Sequence, residues 1–193
     1  MSPREGRGEL AWAVVFMLGY LAILLLTVDE LGYARDEGFY FVASQRYQAW
    51  FELLATDPNT AMASRDEAWR VNSEHPALVK SLFALCHRVL WDAGPFVSRD
   101  GTSFRVGGML LSSLAVGMTY LWGARARGRW VGLLAAGFLA FTPRFFFHAH
   151  LACFDGPIVG MWLATAYLWW RLVERGGWWR VVVLGLVFGL TLN

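Results

Sequence analysis

The sequence predicts an all-α protein that crosses a membrane several times and packs its crossings as a helical bundle. Two observations predict this: long apolar segments carry no charge, and arginines gather in the short segments between them. Of the 193 residues, 56% are apolar and 16% are aromatic, more than a soluble domain of this size usually contains. The formal net charge of +2 provides no basic surface, so nucleic acid is not an expected partner.

The first predicted span covers residues 10–28, an apolar segment without a charged side chain. Such a segment is long enough to cross a hydrocarbon core of about 30 Å at about 1.5 Å per residue. A cleaved signal peptide is the alternative, but the segment is longer than a usual signal-peptide core and no small-residue cleavage site precedes Asp29. Further spans are predicted at about 106–122, 130–147 and 155–172, with an incomplete one at 181–193.

Two of these segments are irregular. Thr142-Pro143 interrupts the third, which reaches across the bilayer only if the helix continues into residues 145–147. The fifth stops at Asn193, where its last backbone groups would be unpaired in lipid. We therefore expect residues 1–193 to be the N-terminal part of one longer transmembrane domain.

The arginines predict how the spans are oriented, because cytoplasmic loops of membrane proteins are enriched in Lys and Arg. Arg4 and Arg7 precede the first span, and further arginines follow the second and fourth spans. The short loop between the third and fourth spans contains only Arg144. The pattern predicts a protein of the cytoplasmic (inner) membrane with a cytoplasmic N-terminus and an outer segment at residues 29–105.

The outer segment is predicted to contain amphipathic helices that lie along the membrane surface. Apolar residues recur there at helical spacing in two groups: Tyr40, Tyr47, Phe51 and Leu54, and Leu78, Leu82, Leu85 and Val89. Lys80, His87 and Arg88 occupy the narrower polar side of the second helix, as in helices at a lipid interface. A short span over residues 76–91 is the alternative, but these three side chains make it unfavourable.

The first candidate catalytic residues are Asp36 and Glu37, shortly after the first span. In one interpretation they are acids at a helix N-terminus, with Asp36 as its cap. In the other, a carboxylate at the outer membrane face takes a proton from an attacking hydroxyl. Asp155, at the start of the fourth span, is open to the same two interpretations, as a helix cap or as a functional carboxylate. It lies on the same predicted side of the membrane as Asp36.

Candidate phosphate-binding residues follow further along the chain. The segment from Glu74 and His75 through Pro76 to Lys80 has the pattern of a helix start, with a proline in the first turn. Lys80, the only lysine in the sequence, either extends its ammonium to the interface or meets a lipid phosphate. Arg105, at the outer end of the second span, allows the same choice between interface anchoring and phosphate binding.

Metal binding receives little support from the spacing of the possible ligands. His148 and His150 are two positions apart, which places them on different sides of a helix, so a zinc pair is not expected. Cys86 and Cys153 fit no metal or redox spacing and are interpreted as isolated thiols in apolar surroundings.

Taken in order, these residues resemble the protein O-mannosyltransferase superfamily, which has the GT-C fold and includes bacterial lipid A aminoarabinose transferases. Its members show an acidic pair after the first span, a Glu-His-Pro-Pro-Leu-x-Lys type motif, an Arg opening the second span, and a Pro-plus-aromatic stretch leading to an Asp. The matching segments here are Asp36-Glu37, Glu74 to Lys80, Arg105, and Pro143 to Asp155. Ala77 replaces the second proline of the motif, which relaxes the turn but removes no chemical group.

The resemblance implies an inverting sugar transfer from a polyprenyl-phosphate donor to a hydroxyl of a protein, lipid or glycan at the outer membrane face. It implies Asp36 as base or acceptor-orienting carboxylate, with Glu37 as support or substitute. Phosphate partners would be Lys80 and Arg105, and the groups that position sugar or acceptor would be Glu74, His75 and Asp155. No cofactor is implied, although Asp36 and Asp155 together would offer a divalent cation two carboxylates. Because further C-terminal spans complete the donor groove in this family, we expect residues 1–193 alone to be inactive.

Two other functions stay open. A multi-span transporter or a non-catalytic assembly subunit would carry polar residues deep within its spans, whereas the charges here gather at one face. A truncated and inactive relative of the enzymes is the other possibility.

Overall fold

The computed structural model describes residues 3–94 and 96–193, and this part of the chain is helical without a β-strand. The predicted all-α class is therefore confirmed. The helices are α1 (Pro3–Thr27), α2 (Glu37–Thr56), α3 (Pro58–Ala63), α4 (Arg65–Trp69), α5 (Ala77–His87), α6 (Asp100–Arg127), α7 (Arg129–Phe141), α8 (Pro143–Ala149), α9 (Asp155–Arg175) and α10 (Trp178–Leu192). A 3₁₀ turn at Val28–Glu30 extends α1, and a π-helical turn at Arg88–Asp92 extends α5.

Two helical segments, Gly8–Glu30 and Asp100–Arg127, are long and apolar enough to cross a membrane. They correspond to the first and second predicted spans. α7 and α8 form a third candidate as a pair, but their axes bend by 69° between Phe141 and Pro143. Thr142 has an extended backbone (φ −62°, ψ 118°), the conformation that a following proline favours. The predicted interruption is therefore present, and the pair is a broken crossing or a re-entrant segment.

α9 and α10 depart from the predicted fourth and fifth spans. α9 has 21 residues, which at about 1.5 Å per residue is enough to cross. Its tryptophans, glycines and charged C-terminal turn make it less apolar than α1, and it is not among the candidate spans of the described residues. α10 has 15 residues, fewer than the roughly 20 that a crossing needs. The crossings at 155–172 and 181–193 therefore stay predictions.

α6 is the central helix of the bundle. It packs against α1, α7 and α9, and also against α5. The backbones approach closely at two glycines: a Cβ at Gly117 would lie 2.8 Å from the carbonyl oxygen of Ala13, and a Cβ at Gly160 would overlap that of Leu111. Small residues are common at such contacts because helices in lipid associate through close backbone packing.

The predicted outer segment folds as α2–α5, with α2 packed against α3, α4 and α5. It covers the end of the bundle where α1 ends and α6 begins. Tyr40 and Tyr47 are buried, as their spacing predicts. On α5 the buried apolar residues are Val79, Phe83, Ala84 and Cys86, whereas Leu85 is 58% exposed. An exposed apolar side of this kind is what a helix at a lipid interface presents.

The polar side of α5 is partly buried. Lys80 and His87 were assigned to the polar side of a helix at the membrane surface, and they are only 0% and 7% exposed. His87 forms hydrogen bonds with Gln48 of α2 at 3.0 Å and with Asp100 of α6 at 2.8 Å. Arg88 does remain exposed. The polar side is therefore covered at Lys80 and His87, which helical spacing along one segment does not reveal.

Candidate functional site

A pocket of about 430 Å³ lies at the end of the bundle that α2–α5 cover. It is formed by the start of α2, the loop before α5 and the start of α9. Four of the seven predicted site residues line it: Asp36, Glu74, His75 and Asp155. The other wall residues are Phe39, Tyr40, Asn72, Cys153 and Phe154. The three remaining predicted residues, Glu37, Lys80 and Arg105, are fully buried beside the segments that form the wall.

Asp36 and Asp155 both reach the pocket from the start of a helix. Asp36 immediately precedes α2 and makes no side-chain capping hydrogen bond, so the interpretation as a cap does not account for it. Asp155 is the first residue of α9, where the helix dipole favours a carboxylate. Both side chains are exposed, and both are therefore accessible to a molecule in the pocket.

Glu37, the second acid of the predicted pair, has a carboxylate whose oxygens are both occupied. Oε1 accepts hydrogen bonds from Nε of Arg105 at 2.7 Å and from the backbone N–H of Ala152 at 2.9 Å. Oε2 accepts from Nη2 of Arg105 at 2.7 Å and from the backbone N–H of Ala34 at 2.8 Å. A bidentate pair of this kind fixes the orientation of both side chains. Glu37 thus ties α2 to α6 and to the turn before α9.

The other N–H groups of Arg105 point to backbone carbonyl oxygens at the end of α1. Nη1 donates to Val28 at 3.3 Å and to Leu31 at 3.2 Å, and Nη2 also donates to Gly32 at 2.8 Å. Together with the two bonds to Glu37, these use all five N–H groups of the guanidinium. A phosphate contact would require Arg105 to give up one of these partners, and that predicted contact stays a prediction.

Lys80 holds the loop that forms one wall of the pocket. Its Nζ donates to the carbonyl oxygens of Asn72 and His75, the latter at 2.8 Å. The ammonium also lies 5.3 Å from the centre of the Tyr47 ring, a favourable cation–π contact. Burial lowers the pKa of Lys80, while the nearby Glu74 carboxylate raises it by a smaller amount. The ammonium is therefore directed at the back of the loop, and its predicted phosphate contact is untested.

One side of the pocket is aromatic. The His75 ring stacks on Tyr40 with centroids 5.6 Å apart, and it lies 6.1 Å from the Phe154 ring. Burial raises the pKa of Tyr40 to about 12, so its hydroxyl stays protonated at neutral pH. Asp36 and Glu74 are exposed on the same pocket, which therefore combines aromatic rings with carboxylates.

Asn72 is a pocket residue to which the sequence assigned no functional role. Its backbone is left-handed, with φ of 54°, a conformation that Asn tolerates better than most residues. Its side-chain Nδ2 is buried and has no hydrogen-bond partner in the described part of the chain. Such a group lacks the partner that a buried donor usually has. No local pattern would have identified it, because its position depends on the loop that Lys80 holds.

The residues between α8 and α9 include possible metal ligands. The candidate ligand atoms of His148, Cys153 and Asp155 all lie within 4.8 Å of one another. His150 points elsewhere and forms a 2.7 Å hydrogen bond with Thr27, so the two histidines do not converge, as their spacing predicts. Burial raises the pKa of the Cys153 thiol to about 12. Cys153 is a free, buried thiol in an apolar cluster, as predicted, and it also lies beside two potential metal ligands.

Comparison with known proteins identifies one family. The sequence model described as dolichyl-phosphate-mannose-protein mannosyltransferase matches residues 75–193. The matched region begins at His75 and includes Lys80, Arg105 and Asp155, whereas Asp36 and Glu37 precede it. Neither the curated proteins nor the solved structures contain a match to the chain.

Proposed function

Since the chain belongs to the dolichyl-phosphate-mannose-protein mannosyltransferase family, we propose that its pocket is where a sugar passes from a polyprenyl-phosphate donor to an acceptor hydroxyl. Membership of this family implies a membrane glycosyltransferase that depends on a polyprenyl-phosphate-linked sugar. The proposal adds that the hydroxyl belongs to a protein, lipid or glycan and that the transfer inverts the anomeric carbon.

The chemistry of such a transfer needs a base and a set of hydrogen-bond donors. The bond that breaks joins the anomeric carbon to a phosphate oxygen, so the leaving group departs as a phosphate anion and needs no proton. The attacking hydroxyl must lose its proton, and a carboxylate within hydrogen-bond reach takes it. Donors around the departing phosphate stabilise the charge that develops there.

Asp36 is the proposed base. The observation that supports this proposal is the different exposure of the two adjacent acids. Asp36 is exposed in the pocket, whereas the adjacent Glu37 already accepts four hydrogen bonds. Because Glu37 follows Asp36 directly, its pair with Arg105 holds the backbone that presents Asp36. Glu37 and Arg105 are thus positioning residues in this proposal.

The remaining wall residues are proposed to bind the substrates. Glu74, His75 and Asp155 would position sugar and acceptor, since their side chains line the same pocket as the base. The unpartnered Nδ2 of Asn72 would donate to a sugar hydroxyl or to the phosphate. Lys80 would act through the loop it holds, by its bonds to the carbonyl oxygens of Asn72 and His75.

The pocket is proposed to face the outer side of the cytoplasmic membrane. Arg105 lies in the first turns of α6 near the pocket, and Arg125 and Arg127 lie in its last turn. Cytoplasmic ends of membrane helices are the ones enriched in arginine, so the pocket end is assigned to the outer side. The polyprenyl chain of the donor would then lie in the outer leaflet, with its phosphate at headgroup depth.

Asp36→Asn in the full-length enzyme tests the base. The change keeps the shape of the side chain but removes its ability to take a proton, so we expect turnover to fall by about 10²–10⁴-fold. Turnover is measured with radiolabelled polyprenyl-phosphate sugar in membranes, as label transferred to acceptor. The control is Asp66→Asn, because Asp66 lies on α4 away from the pocket with its side chain 87% exposed.

We expect Asp66→Asn to leave turnover unchanged, and Asp36→Asn to leave the folded protein intact. Normal turnover of Asp36→Asn would show that Asp36 is not the base. Label bound to the protein and moved across the membrane without transfer would instead support a transporter.

A further inference from the structure

His148, Cys153 and Asp155 bring an imidazole nitrogen, a sulfur and a carboxylate oxygen together at the pocket wall. They come from the end of α8, the turn that follows it and the first residue of α9. Their candidate ligand atoms lie within 4.8 Å of one another. We propose that these three residues bind a Zn²⁺ ion.

The spacing of His148 and Asp155 fits this proposal. Two ligands about 2.0–2.2 Å from a tetrahedral zinc ion lie about 3.4 Å apart, and Nδ1 of His148 lies 3.4 Å from Oδ2 of Asp155. This distance is longer than a normal N–H···O hydrogen bond. Nδ1 is buried and has no hydrogen-bond partner among the described residues, so no competing hydrogen bond prevents it from binding a metal ion.

The mixture of donor atoms selects zinc among the common divalent cations. Mg²⁺ and Ca²⁺ prefer oxygen ligands, whereas thiolate favours a softer ion. Zinc accepts imidazole, thiolate and carboxylate together. Only the thiolate binds a metal, so zinc takes the place of the proton on the Cys153 sulfur.

Simpler explanations account for these residues one at a time. Asp155 interacts favourably with the N-terminus of α9, and His148 lies in the last turn of α8, where a cation is favoured. His148 and Asp155 also form an ion pair across 3.4 Å, and the Cys153 thiol interacts with the Asp155 carboxylate. These pairwise contacts leave Nδ1 of His148 without a hydrogen bond among the described residues, whereas a shared metal ion would engage all three groups.

Three protein ligands leave one position of a tetrahedral zinc ion open. Cys153 and Asp155 also line the pocket, so an ion bound by these residues would be accessible from the pocket to a water or a substrate oxygen. Asp36 contributes no ligand to this site. Zinc binding can therefore be tested without turnover and independently of the proposed base.

The test is zinc binding by the purified full-length protein after treatment with a chelator. Competition with a chromophoric zinc chelator gives the affinity, and metal analysis after gel filtration gives the stoichiometry. We expect one zinc ion per protein chain. The affinity for zinc should be at least about 10-fold lower in Cys153→Ser and in His148→Ala. Cys86→Ser, which removes the other buried thiol outside the group, should bind zinc as the unmodified protein does.

Cobalt provides a second readout that a general loss of folding would not imitate. Co²⁺ in the site should show the charge-transfer absorption of a cobalt–thiolate bond, which Cys86→Ser keeps and Cys153→Ser loses. Equal zinc affinity in Cys153→Ser and the unmodified protein would overturn the proposal, as would equal losses in Cys153→Ser and Cys86→Ser. Asp36→Asn should bind zinc normally, so failure of the zinc site and failure of the proposed base are distinguishable.

Discussion

Two ion pairs lie near opposite ends of α1, and they differ in their burial. At the pocket end, the side chains of Arg105 and Glu37 are 2% and 0% exposed. At the other end, Arg129 is 63% exposed while its partner Glu9 is 6% exposed. Glu9 also accepts a 2.7 Å hydrogen bond from the hydroxyl of Tyr120, so it does not depend on the arginine alone.

The difference in burial indicates which pair is costlier to break. Removing one partner of a buried pair leaves a charge that no water can reach, whereas an exposed charge stays in contact with water when its partner is lost. The buried pair lies next to the pocket, because Glu37 follows Asp36 in the chain. The position of the proposed base therefore depends on a pair that does not itself face the substrate.

The largest effect is expected when the pair at the pocket end is broken. Arg105→Met should lower the free energy of unfolding by about 3–5 kcal/mol, because Glu37 is left buried without its cation. Loss of helical circular dichroism in detergent, followed against denaturant, measures this change. The double variant Arg105→Met with Glu37→Leu removes both charges and should recover part of the loss.

The matched control is Arg127→Met, because Arg127 is an exposed arginine in the last turn of α6. Its substitution should change the free energy of unfolding by no more than about 0.5 kcal/mol. Equal losses for Arg105→Met and Arg127→Met would contradict the assignment of Arg105 as a buried support.

A smaller effect is expected at Lys80, which supports the pocket wall by two hydrogen bonds to a loop. Lys80→Met keeps much of the side-chain volume but leaves the carbonyl oxygens of Asn72 and His75 without this donor. We expect a loss of about 1–3 kcal/mol in the free energy of unfolding. In the full-length enzyme, KM for the donor should rise more than kcat falls, since the loop lines the pocket.

Arg88→Met is the control for this variant, since Arg88 lies just after α5 and pairs with Glu52 at 53% exposure of both side chains. Its loss should be no more than about 1 kcal/mol. A Lys80→Met enzyme with normal stability and normal donor KM would show that the loop does not need the lysine.

The smallest effect is expected at the far ion pair. Glu9→Gln keeps an oxygen that accepts from Tyr120, and it removes no cation from the 63% exposed Arg129 side. We therefore expect a loss below about 1 kcal/mol in the same unfolding measurement. A loss as large as that of Arg105→Met would remove the contrast between the two ends.

Much of the architecture was predictable because it depends on neighbours in the chain. Apolar runs predicted the two long spans, and Pro143 predicted the break after α7, since a proline affects the residues directly before it. The order of the motifs also predicted the family that the sequence match shows. The crossings assigned to α9 and α10 and the roles of the site residues stay predictions.

The details of the candidate site were less predictable. The sequence placed Lys80 on the polar side of a helix and Cys153 in apolar surroundings. The structure adds that Lys80 is bonded to a loop and that Cys153 also lies beside His148 and Asp155. Spacing along one helix identifies a face. It does not reveal which other segment of the chain covers that face.

The amino-acid sequence by itself determined the helical class, the long spans and the order of the charged residues, because hydrophobic runs and proline act over a few residues. The tertiary structure alone decided that Glu37 and Arg105, 68 positions apart, form a buried ion pair while Asp36 lines the pocket. It also brought the Ala152 N–H to Glu37 across 115 positions. Contacts between such distant residues arise only when the helices pack, and the packing at α6 sets which acid is buried and which lines the pocket.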